Sequence, residues 1–203
     1  MLSAKKEDVM QRRARCSMIV VLISFALFSF SGNVHSDSSV PEKGSSFPVI
    51  SLPVPEKDSE KSYLGLSEKG TFTISDIKAS VLIIEIMSMY CPYCQKEAPL
   101  VNDLFQIIDR DAVLRDKVRI IGIGAGNTPF EIDVFRNQFH VPFPIFEDRS
   151  FAIHRKIGEV RTPYFFVLKM NADKTNKIIY SKVGTIGEPV QFLNLIREEA
   201  VLK

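Results

Sequence analysis

The run Val81-Leu82-Ile83-Ile84-Glu85-Ile86-Met87, followed at once by Ser88-Met89-Tyr90-Cys91-Pro92-Tyr93-Cys94, constrains this chain more than any other stretch. Its first six residues are dominated by Val, Leu and Ile and are too few for a helix, so they read as a strand covered on both faces. The strand delivers two cysteines to the start of a helix, with Pro92 at the first helical position. Cysteines at this spacing close a small disulfide or stand open as a dithiol, and the first helical amides favour a thiolate on Cys91. The chain has three cysteines, of which Cys16 lies in an N-terminal segment of different character. The folded part therefore has one pair and no disulfide framework.

Residues 1–36 are ordered like a secretory signal: basic positions through Arg12, Arg13 and Arg15, an apolar core from Met18 to Phe30, then polar Ser31 to Ser36. Val34 and Ser36 suit cleavage after Ser36. The 13-residue apolar core falls short of the ~20 residues that a bilayer span needs, so cleavage is expected ahead of an uncleaved anchor at 18–30. Met10 offers a more compact start to the same signal, and the arginine pair is a poor twin-arginine match, because no hydrophobic residue follows it soon enough. The leader implies a periplasmic or otherwise extracytoplasmic protein. It also holds five of the 26 Lys/Arg and two of the 24 Asp/Glu, leaving 21 against 22, so net charge gives no argument for nucleic acid.

Residues 37–46 are polar with Ser, Pro and Gly and are expected to form a flexible tether, followed by one domain over 47–203. Phe47 to Val54, with its prolines, suits an extended edge segment, and Gly70 to Ile74 alternates as a short strand. After the cysteines, Leu100, Val101, Leu104, Phe105, Ile107 and Ile108 recur at helical spacing, with Pro99 inside that helix as an expected kink. Val118 to Gly124 is a second buried strand, parallel to the first in a βαβ unit. Thr128-Pro129-Phe130-Glu131 combines a capping box with a first-turn proline and opens a helix to about His140. Pro142 to Phe146 is a short extended stretch, and a small helix near 149–157 ends at Gly158. Tyr164 to Leu168 and Lys177 to Val183 form a hairpin, and Val190, Leu193, Ile196 and Ala200 mark the inner face of a closing helix.

The cysteine pair has three readings. Zinc needs about four ligands, and beyond the pair the exported part offers only His140 and His154, too far apart in sequence for the usual close spacing, so no metal is expected. A structural disulfide closing so small a loop removes little chain entropy and is a poor staple. A strand feeding CxxC into a helix fits a redox dithiol best. Gly122, Gly124 and Gly126 do not complete a dinucleotide-binding loop and are expected to give turn flexibility.

Together the strand, Cys91-Pro92-Tyr93-Cys94, Pro99, and Thr162-Pro163 entering the hairpin resemble the thioredoxin fold across residues 47–203. The resemblance implies an α/β protein: a three-layer α/β/α sandwich on a mixed central sheet, with an extra N-terminal hairpin. It also implies a cis Pro163 facing the dithiol, whose neighbouring backbone pairs with an extended substrate. The 72 positions from Cys91 to Pro163 leave room for an extra strand and helix between the CxxC helix and the cis-Pro hairpin. With the export signal and Lys96-Glu97-Ala98-Pro99, that insertion resembles the TlpA/ResA class of thiol-disulfide oxidoreductases. Cys-Pro-Tyr-Cys alone is the glutaredoxin tetrapeptide, which the leader and insertion argue against.

By that resemblance the protein is a reductant of selected protein disulfides, with apocytochrome c as the class's best-known client and a membrane or periplasmic electron donor upstream. No cofactor is implied beyond a redox-active Cys91–Cys94 disulfide. Cys91 is expected to attack and Cys94 to resolve. Glu85, a carboxylate in an apolar strand, aligns with thioredoxin's buried aspartate and is a candidate proton acceptor for Cys94; an edge Glu paired with a Lys is its other reading. Glu97 matches the active-site glutamate of ResA-like proteins, although the helix dipole also accounts for an acid there. Tyr90, Pro92, Tyr93, Thr162 and Pro163 are the expected substrate-facing residues. Two alternatives stand beside this reading. One is a thiol peroxidase, for which Ser88 fits the hydroxyl position of PxxxTxxC but Ile84 replaces its proline, and the other is a secreted binding domain with a vestigial dithiol.

Overall fold

The apolar run at Val81–Met87 (β3) is fully buried because it is the middle strand of five, and no edge of it meets water. The computed structural model describes residues 39–67 and 69–202, so the expected leader of residues 1–36 lies outside the described residues. β1 (Ser51–Pro53) and β2 (Thr71–Thr73) form a small antiparallel pair, with helix α1 (Asp58–Leu64) between them. α2 (Pro92–Arg110), β4 (Val118–Ala125), α3 (Pro129–Phe139), β5 (Ile145–Asp148) and α4 (Ala152–Lys156) follow β3. β6 (Tyr164–Met170), β7 (Asn176–Val183) and α5 (Pro189–Ala200) close the chain.

The main sheet has the order β5-β4-β3-β6-β7, with β3 parallel to β4, β4 parallel to β5, and β6 antiparallel to both β3 and β7. Strand parity assigns the two faces. Val81, Ile83 and Met87 pack with Cys94, Val101 and Leu104 of α2 and with Phe192 and Ile196 of α5. Leu82, Ile84 and Ile86 point the other way, into a core with Leu52, Leu64, Phe72 and Ile157. The mixed sheet and the insertion β5–α4 are as expected, while the second outer layer is a two-stranded sheet and two short helices. The N-terminal pair is also not a simple hairpin, since α1 stands between its strands. The sequence reading has no helix at Asp58–Leu64, because among its seven residues only Leu64 is buried and no apolar period develops.

Three further expectations are corrected. Val190 is 56% exposed, and Pro189, Phe192, Leu193, Ile196 and Ala200 form the inner face of α5 instead. With Pro189 at the first helical position, the buried stripe starts one residue earlier than the sequence reading set it. The segment before Phe47 is not free along its length: Gly44 N–H donates to Ile178 O and Ile178 N–H to Ser45 O, both at 2.8 Å, while Ser181 Oγ bonds Pro41 O. Polar composition hid these bonds because they are made by backbone. Finally, Gly122 and Gly124 lie in β4 and serve close approach. A Cβ on Gly124 comes within 2.7 Å of Ile132 on α3, and one on Gly122 within 2.9 Å of Ile145. Only Gly126, at φ +71°, supplies a turn.

Candidate active site

Cys91 is the N-cap of α2, with extended backbone, and Pro92 occupies the first helical position, where no N–H is needed. The loop before it is tightened by Cys91 N–H to Ser88 O at 3.0 Å. Cys91 is half-buried, Cys94 is completely buried one turn inward, and both are free thiols. Burial pushes the Cys91 thiol up. Hydrogen bonds from the Thr162 side chain, from Cys94 and from the Tyr93 amide outweigh it and bring Cys91 below its ordinary range. Burial raises Cys94 far above its ordinary range, and neighbouring Glu85 and Cys91 add to this. Of the two, Cys91 is the more readily ionised and Cys94 is held as a thiol.

Thr162–Pro163 is a cis peptide bond, as the resemblance implied, and Thr162 O lies 3.3 Å from Cys91 Sγ. Thus a segment 71 positions away in the chain forms the wall opposite the dithiol. Pro163 is buried, and its carbonyl accepts from Gly184 N–H at 2.9 Å, which brings the end of β7 beside it.

Glu85 lies on the face of β3 that supports α2, since it shares parity with Ile83 and Met87. It is 3% exposed and pairs across the sheet with Gly122 and Phe165. Among the described residues no Lys or Arg forms an ion pair with it, so the reading of an edge Glu paired with a Lys does not apply. Burial, followed by the charges of Glu97 and Cys91, pushes its carboxyl up to about 8. Glu97 is 4% exposed and its Oε1 accepts the Ile186 backbone N–H at 2.7 Å. This bond satisfies a buried donor in the β7–α5 connection and ties that connection to the CxxC helix. The structure thus brings Glu85, Glu97 and the two cysteines into one electrostatic neighbourhood.

The tyrosines are on the outside. Tyr90 is 66% and Tyr93 71% exposed. The Tyr90 hydroxyl donates to Glu131 Oε1, whose other oxygen accepts Thr128 N–H at 2.8 Å in the capping box of α3. Tyr93 lines a groove with Leu100, Thr162, Pro163 and Val183. Among the described residues no group of three or more His, Cys, Asp or Glu is placed to hold a metal ion, and no helix is long and apolar enough to cross a membrane.

The redoxin family model matches residues 42–194, which takes in the whole arrangement just described. The chain belongs to the redoxin family. The thiol-disulfide oxidoreductase ResA of Oceanobacillus iheyensis is 23% identical over 154 residues, covering 74% of this chain and 73% of that protein. The ResA of Geobacillus thermodenitrificans is 24% identical over 106 residues, covering 52% of this chain and 58% of that protein. A Chlorobium tepidum protein assigned as the thiol:disulfide interchange protein DsbE shares the fold at a TM-score of 0.57 and 18% identity, over 80% of this chain and 99% of its own. The redoxin domain is thus similar in sequence to ResA thiol-disulfide oxidoreductases and has the thioredoxin fold.

Sequence reasoning missed the residues that hold this redoxin's CxxC loop. Asn127 is completely buried, and its Oδ1 accepts Met89 N–H at 2.9 Å. Gln95 Nε2 donates to Met89 O at 2.8 Å, so both polar groups of the Met89 backbone are held by side chains. The only signal was an Asn between the turn glycine Gly126 and the capping Thr128, which also suits an ordinary loop. Lys96 and Arg161, on either side of the groove, were likewise passed over because exposed cations are the commonest surface residues.

Proposed function

We propose that Cys91 and Cys94 exchange electrons with disulfides of other polypeptides, with the protein acting as the reductant outside the cytoplasm. The observation that carries the reading is the split between the two thiols: Cys91 lowered at the helix N-cap against Thr162, and Cys94 raised and buried above Glu85. In the proposed reaction the Cys91 thiolate attacks one sulfur of a client disulfide. A Cys91–client S–S bond forms and one client thiolate leaves. Glu85 in its ionised form then takes the Cys94 proton, Cys94 sulfur attacks Cys91 sulfur, and the Cys91–Cys94 disulfide forms as the second client thiolate departs. Two electrons pass from the dithiol to the client, and an upstream dithiol donor restores the starting state.

No cofactor takes part in these steps. The backbone beside Thr162 and Pro163 is assigned to the client segment, with Pro92 and Tyr93 on the opposite wall and Tyr90 at the rim. Glu97 acts as a positioning residue that holds the Ile186 connection and keeps the Glu85 carboxyl high. The leader of residues 1–36 supports export, the ResA relatives, thiol-disulfide oxidoreductases by name, support thiol-disulfide exchange, and the resemblance makes apocytochrome c the client class to try first.

Direction is set by potential. The buried Cys94 stays a thiol and gives the reduced form no second thiolate, which favours a reducing couple. Equilibration with glutathione redox buffers, read by thiol alkylation and mass, is expected to give a two-electron couple nearer thioredoxin's value of about −270 mV than DsbA's value of about −120 mV. A DsbA-like potential contradicts the assigned direction and makes the protein an oxidant.

A further inference from the structure

The groove beside the dithiol has a charge pattern that the exchange reaction does not use. Its volume is about 560 Å³, and it runs from Tyr93, Lys96 and Leu100 on α2 to Arg161, Thr162 and Pro163 and the end of β7 at Val183. Tyr93, Leu100, Pro163 and Val183 give it an apolar lining. Lys96 and Arg161 are exposed on opposite sides, and neither makes a side-chain hydrogen bond or ion pair among the described residues. The one carboxylate in the lining, Glu97, is buried and already bonded to Ile186 N–H. The rim therefore presents two unpaired positive charges, and the net charge of the chain is only +2, so this is local placement and not general basicity.

Both cations are tied to the reacting sulfur. Lys96 stands two positions after Cys94, and Arg161 immediately precedes Thr162, whose carbonyl lies 3.3 Å from Cys91 Sγ. An extended client segment with its disulfide at Cys91 sends alternate side chains to the same side, so the residues two positions from its cysteine share that cysteine's side and pass over the groove. We infer that this groove selects client polypeptides carrying Asp or Glu two residues from the cysteine under attack, with Lys96 and Arg161 as the specificity-determining residues. The inference rests on the proposed exchange and names the substrate class of that site. Charge pairing of this kind acts chiefly through encounter and orientation, and it weakens with salt.

The test uses the full chain in its dithiol form and three peptides that differ only in having Glu, Gln or Lys two positions from one cysteine of an intramolecular disulfide. Each rate is divided by that with dithiothreitol, a small thiol that also attacks as its thiolate but has no groove, which removes differences in intrinsic reactivity toward a thiolate. At ~0.15 M salt the Glu peptide is expected to be reduced about fivefold faster than the Lys peptide, the scale of one or two screened exposed pairs, and the ratio is expected to approach one at about 1 M salt. The double variant Lys96→Glu/Arg161→Glu should invert the order. Both peptides meet the same thiolate, so the ratio is independent of any change in Cys91 ionisation. Equal normalised rates, or an order that survives the charge reversal, overturn the assignment while leaving the exchange reaction standing. Failure to reduce any of the three overturns the exchange reading and this inference with it.

Discussion

Cys91→Ser is expected to reduce exchange with protein disulfides to the uncatalysed background, while Cys94→Ser keeps the first step and accumulates a covalent client adduct. The asymmetry follows from the two environments. Cys91 meets Thr162 and the Cys94 and Tyr93 amides, which bring its thiol below its ordinary range and make it the readier nucleophile of the pair. Cys94 is completely buried, with its thiol held up by burial and by Glu85, so it cannot substitute as the first attacker. Once Cys91 is bound to a client, only Cys94 is placed to release it, and serine in its place leaves the mixed disulfide intact. Non-reducing electrophoresis with intact-mass analysis reads both outcomes. Adducts on Cys94 in the Cys91→Ser protein at the wild-type rate would reverse the assigned roles.

Glu85→Gln is expected to trade activity for stability, with a pH signature. The Glu85 carboxyl is pushed up to about 8 from an ordinary 4.5, chiefly by burial. In the unfolded chain it ionises near its ordinary value, so between about 4.5 and 8 the folded state binds a proton that the unfolded state has released. Its contribution to stability therefore falls as pH rises through that window and is constant above it. The neutral amide does not titrate, so the variant should gain on the wild type over the same window. The gain is about 2–4 kcal/mol by pH 8 and close to zero near pH 4.5, measured by denaturant unfolding at fixed salt. Without a proton acceptor, release of the mixed disulfide near neutral pH should slow by roughly 10², the low end for general base catalysis. A variant with the wild-type pH profile in both measurements would remove Glu85 from the mechanism.

The elements whose signals are local could be read from the chain. β3, the CxxC, the start of α2 and the capping box of α3 each declare themselves within a few residues, through an apolar run, a first-turn proline or a Thr-x-x-Glu spacing. Thr162-Pro163 was legible only through resemblance, since neither the cis bond nor the approach to Cys91 has a local cause. Glu85 stood out as a carboxylate in an apolar strand, but its closeness to Glu97 depends on α2 crossing the sheet above β3, which no spacing states. Asn127 was illegible for a similar reason. It acts on Met89, 38 positions earlier, and its surroundings in sequence are those of any turn. α1 and the segment before Phe47 escaped because short helices and backbone pairing leave little trace in hydrophobic period.

The groove cations show the same limit in a functional setting. Nothing in the sequence distinguishes Lys96 or Arg161 from other surface cations in the chain. What distinguishes them is that α2 and the approach to β6 bring both to one groove that also takes in Thr162, whose carbonyl lies 3.3 Å from Cys91 Sγ. In the proposed exchange, electron transfer and client choice are then carried by different residues of the same site, the first by Cys91, Cys94 and Glu85 and the second by the rim.

The central claim is that this dithiol reduces protein disulfides, and insulin reduction with a thiol donor, run beside peroxide consumption under the same conditions, tests it most directly. The account predicts catalytic insulin reduction by the wild-type protein that vanishes with Cys91→Ser, and no peroxide turnover above the donor alone. Peroxide consumption without insulin reduction, or an inert wild-type protein, would contradict it.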